Sequence, residues 1–174
     1  ENMNEVQPIR DKEKIELMKS ELLKTGARNH FLFCLGINTG LRISDMLQLK
    51  VKDVKDKTHL HIIEGKTDKT KRFILNYELQ NLIQSYTATM KDEDYLFCSK
   101  KSNKPIQRVQ AYKIINKSAR AIGLEEIGTH TLRKTFGYHF YKNTKDIAVL
   151  QEIFNHSSPE ITKRYIGINQ DELD

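Results

Sequence analysis

The sequence predicts an α+β fold, mostly helical, in which one small antiparallel β-sheet separates two groups of helices. Three observations carry this. Apolar residues recur at three- and four-residue spacing through most of the chain. Strand signals are confined to one place, the alternating "HLHII" and the "RFIL" that follows it across a polar link. A chain of 174 residues with 38 % hydrophobic residues is also long enough to bury a core without staples, so a single domain over 1–174 is expected.

The elements follow in order. The opening "ENMNEVQPIR" is polar and reads as a loose leader over residues 1–10. Asp11 caps a helix over 12–24, with Ile15, Met18 and Leu22 on one stripe and Gly26 ending it. "NHFLFCLGIN" is apolar almost all round, which predicts a buried central helix. "TGLRISDMLQLKVKDV" makes a glycine turn into a short amphipathic helix. "HLHII", a polar link "EGKTDKTK" and "RFIL" read as a β-hairpin or meander. Amphipathic helices are expected over 77–88 and 106–121, the second closed off by "IGLEEIG". A helix starting near Thr129 carries "HTLRKTFGYHFYK", and Asp146 caps a short one running to Phe154. "HSSPE" then offers two N-cap serines, Pro159 for the first turn, and Glu160 three residues after Ser157. Tyr86, Tyr112, Tyr138 and Tyr141 lie in the longer helical patterns and read as packing or surface residues.

Bulk chemistry narrows the partners. Twenty-nine Lys and Arg against 23 Asp and Glu leave a net charge of +6, which favours a polyanion, nucleic acid foremost. No run approaches the roughly 18 apolar residues of a membrane span, and no charged-then-apolar leader opens the sequence. Cys34 sits in an apolar run and Cys98 is isolated, so neither forms a metal motif or a disulfide framework. A cytoplasmic setting is expected.

The chemistry-bearing residues are individually weak signals. "HTLR" puts His130 and Arg133 on one helical face, a proton-transfer group beside a planar cation fork suited to phosphate. Such a pair is also common on solvated helices. Arg42 could simply pair with Asp45, three residues on. Lys66 sits in a polar link with Lys69 and Lys71, as hairpin loops often do. His156 lies in a helix-to-helix turn, and Tyr165, in "NHSSPEITKRYIG", could cover core surface with its ring.

Their joint order and spacing resemble the tyrosine recombinase, or phage integrase, family, and within it the Xer-like bacterial and phage members. The likeness runs from about residue 10 to residue 168. The family's catalytic set reads Arg, Lys, His-x-x-Arg, His or Trp, Tyr, and Arg42, Lys66, His130, Arg133, His156 and Tyr165 stand in that order. The resemblance implies an integrase catalytic core acting on double-stranded DNA. Tyr165 would attack a phosphodiester, leaving a 3′-phosphotyrosine and a free 5′-hydroxyl, with strand exchange and religation to follow. Arg42 and Arg133 would stabilise the charge that builds on the phosphate. Lys66 would protonate the leaving oxygen, His130 would move the tyrosine's proton, and His156 would hydrogen-bond the phosphate. The help is needed, because a tyrosine hydroxyl ionises only near a pKa of about 10. Asp45 matches an acidic family position and either braces Arg42 or caps a helix.

No metal and no other cofactor is expected. Arginines and a lysine stand where metal-dependent nucleases gather carboxylates, and a phosphotyrosine retains the energy of the broken bond. The sequence departs from the family in having no counterpart of its N-terminal DNA-clamping domain and in a short acidic tail, "DELD". A monomer in free solution is therefore expected, with oligomers on DNA only in a full-length or complemented recombinase. Three other readings compete: a type IB topoisomerase, which the His of "HTLR" disfavours; a non-catalytic DNA-binding relic, against which no catalytic position has decayed; and a basic structural module with no DNA role, which requires the motif match to be chance.

Overall fold

The computed structural model describes residues 6–63, 70–125, 127–128 and 130–168. Four helices come first: α1 (Lys12–Thr25), α2 (Ala27–Thr39), α3 (Ile43–Leu47) and α4 (Val51–Val54). A hairpin of β1 (His59–Ile63) and β2 (Thr70–Ile74) follows. The second helical group is α5 (Tyr77–Tyr86), α6 (Arg108–Ala121), α7 (Thr131–Thr144), α8 (Ile147–Phe154) and α9 (Pro159–Tyr165). Among the described residues, no helix is long and apolar enough to cross a membrane.

The all-round apolar character of α2 makes it the axle. Phe31, Leu32, Phe33 and Leu35 are fully buried, and α1, α5 and α7 pack around them. Phe31 stacks on Tyr86 and on Phe97, with ring centroids 4.5 and 5.6 Å away. Gly36 lets α2 and α7 close up, since a Cβ there would stand 2.7 Å from Leu132 Cδ1. The predicted stripe of α1 is the buried one, and the Asp11 side chain accepts from Glu13 N–H as its cap.

The two strands pair antiparallel, with His59 opposite Ile74 and Ile63 opposite Thr70. Leu60 and Phe73 face each other across the ladder and are buried, so this face joins the main core. The link at 64–69, which holds Lys66, lies outside the described residues.

Four details differ from the sequence reading. The stretch after "NTG" forms two short helices rather than one. Its backbone between them is taken by residues far along the chain: Val51 N–H donates to Asp94 O, Lys52 N–H to Asp92 O, and Leu96 N–H to Leu49 O. The Asp53 carboxylate then accepts from Lys50 N–H and restarts the helix. At α7, the helix begins at Thr131 and His130 is its N-cap residue, because Thr131 Oγ1 accepts from Gly128 N–H and tightens the entering turn. At α9, Ser158 is the cap and Pro159 the first helical residue, so Glu160 stands one position short of a capping box. Finally, residues 6–10 of the expected loose leader are anchored: Ile9 is buried, its N–H donates to Thr135 Oγ1, and its carbonyl accepts from His139 Nε2.

Candidate active site

Arg42 owes its position to the end of α2. Gly40 closes that helix in the left-handed region at φ 76°, and a Cβ there would collide with the Phe136 ring. The chain turns, and Arg42 emerges exposed at the head of α3. The Gly40 carbonyl left by this turn accepts from Arg133 Nη1 at 3.0 Å. One arginine is thus fastened to the turn that presents the other.

Arg133 is only 7 % exposed, in the first turn of α7. Its guanidinium lies 4.5 Å from the Phe154 ring centroid and points a second donor at Ile153 O. Burial pulls its pKa down, while the Tyr165 hydroxyl and the Asp45 carboxylate support its charge. A guanidinium starts so high that it stays cationic regardless. Asp45, in the first turn of α3, therefore bears on Arg133 as well as standing near Arg42 in sequence. Arg42, Arg133 and His130 line one cavity of about 70 Å³ with Ile43, Ser44 and Arg108. Three guanidiniums and an imidazole around so small a volume make a site for an anionic group.

Tyr165 ends α9 against this pocket. His130 Nδ1 lies 3.1 Å from its hydroxyl. Its half-buried ring is packed by Phe154 and His156, with centroids 5.2 and 5.0 Å away. Burial pushes the hydroxyl's pKa up, and Arg133 and then Arg42 pull it back down. His130 has one edge open to solvent, yet its surroundings desolvate it and the charges of Arg133, Lys134, Arg42 and Arg108 repel a proton. Its pKa is lowered, so it is neutral at neutral pH and able to accept the tyrosine's proton.

His156 follows Asn155, whose left-handed φ of 60° ends α8. Its Nδ1 lies 2.8 Å from Thr162 Oγ1. With the hydroxyl as donor, Nε2 carries the ring proton, the tautomer that can donate to a phosphate. Partial burial and the nearby charges of Arg133 and Lys71 lower its pKa.

The structure brings Arg42, His130, Arg133, His156 and Tyr165 together, with Asp45 behind them, while Lys66 lies outside the described residues. Sequence reasoning missed three supporting residues. Arg108 joins the cavity from the start of α6. Thr162 fixes the His156 ring. Lys71 is on β2 itself and donates to Glu152 O and Ile153 O, both at 2.8 Å, capping the end of α8. These pairings span more than 80 residues, and no local pattern marks them. Among the described residues, no group of three or more His, Cys, Asp or Glu is placed to hold a metal ion.

Comparison with known proteins places this geometry in a family. The phage integrase family profile matches residues 8–172. The probable integrase/recombinase YoeC of Bacillus subtilis is 57 % identical over 169 residues, covering 97 % of this chain and 93 % of that protein. The chain spans about half the length of the curated Xer tyrosine recombinases it matches. Among solved structures, the XerA recombinase superposes with a TM-score of 0.79 at 24 % identity, over 96 % of this chain and 61 % of that one. The XerH site-specific recombinase bound to difH substrate in a pre-cleavage complex gives 0.74 at 25 % identity, over 97 % and 53 %. With a family profile along nearly its whole length and a relative this similar, the chain belongs to the phage integrase family and is the catalytic domain of a tyrosine recombinase.

Proposed function

We propose that this domain cuts and rejoins duplex DNA through Tyr165. The phosphate occupies the cavity between Arg42 and Arg133, whose guanidiniums oppose the charge that grows on its non-bridging oxygens. The Tyr165 oxygen attacks phosphorus as its proton passes to the neutral Nδ1 of His130. The bond to the 5′-oxygen breaks, Lys66 supplies that oxygen with a proton, and His156 Nε2–H steadies the phosphate. The product is a 3′-phosphotyrosine and a free 5′-hydroxyl. Attack by a 5′-hydroxyl reverses the steps and reseals the strand. Neither a metal nor a nucleotide enters this sequence of bonds.

The observation that carries this reading is the 3.1 Å approach of His130 Nδ1 to the Tyr165 hydroxyl at the edge of a cavity lined by Arg42 and Arg133. The similar XerH site-specific recombinase, solved bound to difH substrate in a pre-cleavage complex, and the net charge of +6 support duplex DNA as the partner. Affinity for DNA should be modest and salt-dependent, since each neutralised phosphate adds about 0.9 to the slope of log affinity against log salt. The free protein should sediment as a monomer. A nicked suicide substrate tests the chemistry. Wild type should form a covalent adduct, and Tyr165→Phe should bind the same DNA but form none. An adduct from Tyr165→Phe mapping to another tyrosine would overturn the assignment.

A further inference from the structure

Residues 6–10 lie along α7 and reach the element of the nucleophile at two points. The first is Lys134, whose side chain is buried at 8 % exposure on the inner side of α7. Its ammonium donates to Val6 O at 3.0 Å and stands 4.8 Å over the Tyr165 ring. The second is Arg10, which donates to Gly167 O at 2.7 Å, two residues beyond Tyr165. Gly167 sits at φ 78°, and a Cβ there would meet Arg10 Nη2 at 2.5 Å and Pro8 Cδ at 3.1 Å, so segment and turn are in direct contact. The segment is itself pinned to α7 through both backbone groups of Ile9.

We propose that residues 6–10, acting through Lys134 and Arg10, form a strap that holds Tyr165 at the phosphate pocket, with Lys134 and Arg10 as positioning residues. This rests on the reading of Tyr165 as the nucleophile. A buried ammonium is costly unless its donors and charge are satisfied. Val6 O meets one of those needs and the face of the Tyr165 ring another, so withdrawing either partner weakens the hold on the other. The attraction also grows as the phenol loses its proton, because the ring then carries more negative charge. Arg10 adds a charge-assisted bond that fixes the backbone where α9 ends.

The test combines hydrogen exchange of residues 159–168 with single-turnover cleavage and DNA affinity. Arg10→Gln is the primary variant, since its exposed position leaves folding intact. It should speed exchange at Ile166, Gly167 and Ile168 and slow cleavage, each by about tenfold, with affinity changed by less than about twofold. Lys134→Met should do the same, and Lys134→Arg should recover most of the loss. Wild-type exchange and cleavage in Arg10→Gln would overturn the proposal. So would a general loss of protection with no preference for 159–168. The controls separate the two readings: an adduct from Tyr165→Phe would sink the nucleophile assignment, while the exchange data would still report whether the strap holds α9.

Discussion

Gly137→Ala should uncouple stability from catalysis. Gly137 lies on α7 where α8 and α9 come closest. A Cβ there would stand 2.5 Å from Ile166 Cγ2 and about 3 Å from the edge of the Phe154 ring. Ile166 and Phe154 are buried in a small core with Tyr141 and Leu150, separate from the main one. Alanine favours a helix interior by about 1 kcal/mol over glycine, and over-packing of this kind costs about 1–3 kcal/mol. The two nearly cancel for the whole protein but fall on different elements. The gain stays in α7, and the strain falls on Phe154 and on the residue that follows Tyr165. With seven residues, α9 has no helical stability of its own and is held by packing. It should therefore lift rather than α7 bend. A loss of about 2 kcal/mol in docking shifts that equilibrium roughly 30-fold. Single-turnover cleavage of nicked DNA should fall by about tenfold or more, while the melting temperature moves by less than about 4 °C. Affinity for DNA should hold, because Arg42 and Arg133 are untouched. Gly36→Ala is the contrast: its methyl would press on Leu132 between two core helices, so stability should drop and cleavage should follow it. Full-speed cleavage by Gly137→Ala, or equal stability losses in both variants, would refute the reasoning.

Three further outcomes are expected. Lys71→Met keeps the length of the side chain but uncaps α8, costing about 1 kcal/mol of anchorage, so cleavage should slow and exchange across β2 should quicken; unchanged exchange would mean the hairpin is held otherwise. Lys66→Ala should slow cleavage by about 10²-fold, the usual scale of general acid catalysis, and a substrate with sulfur at the 5′-bridging position should largely recover it; equal defects on both substrates would move the acid elsewhere. Stability should decline on acidification below the ordinary imidazole value of 6.5, because His30, His130 and His156 are all held beneath it. In that window the unfolded chain binds protons that the folded one refuses, so unfolding is favoured as pH falls and the effect vanishes above 6.5. Urea denaturation at pH 7.5 and 5.5 checks the sign, and equal midpoints would contradict it.

What could be read in advance follows from how local each signal is. The stripe of Ile15, Met18 and Leu22 and the unbroken apolar run of α2 mark their elements because burial on a helix leaves a period in the sequence. The break between α3 and α4 leaves none, since it is made by hydrogen bonds to Asp92, Asp94 and Leu96 some 40 residues on. The same divide runs through the site. Arg42, His130, Arg133, His156 and Tyr165 were legible together because chemistry fixes their types and the fold fixes their order. Lys71, Arg108, Thr162 and Lys134 were not, because a lysine capping a distant helix looks like any solvated lysine until the tertiary structure exists. Residues 6–10 misled for a related reason: a polar stretch can be anchored by one buried apolar side chain and the backbone bonds beside it, as at Ile9.

The tie between Arg133 and the Gly40 carbonyl has a consequence for the timing of synthesis. The anion pocket needs residues 93 positions apart, so it cannot exist on a ribosome that has made only the first helices. Arg133 is also held by the Phe154 ring and Ile153 O, so the pocket is complete only once α8 has followed α7. Tyr165, the nucleophile we propose, lies 32 residues beyond Arg133, from 165 − 133. On the reading proposed for Tyr165, a chain that ends before α9 carries no oxygen to attack a phosphate.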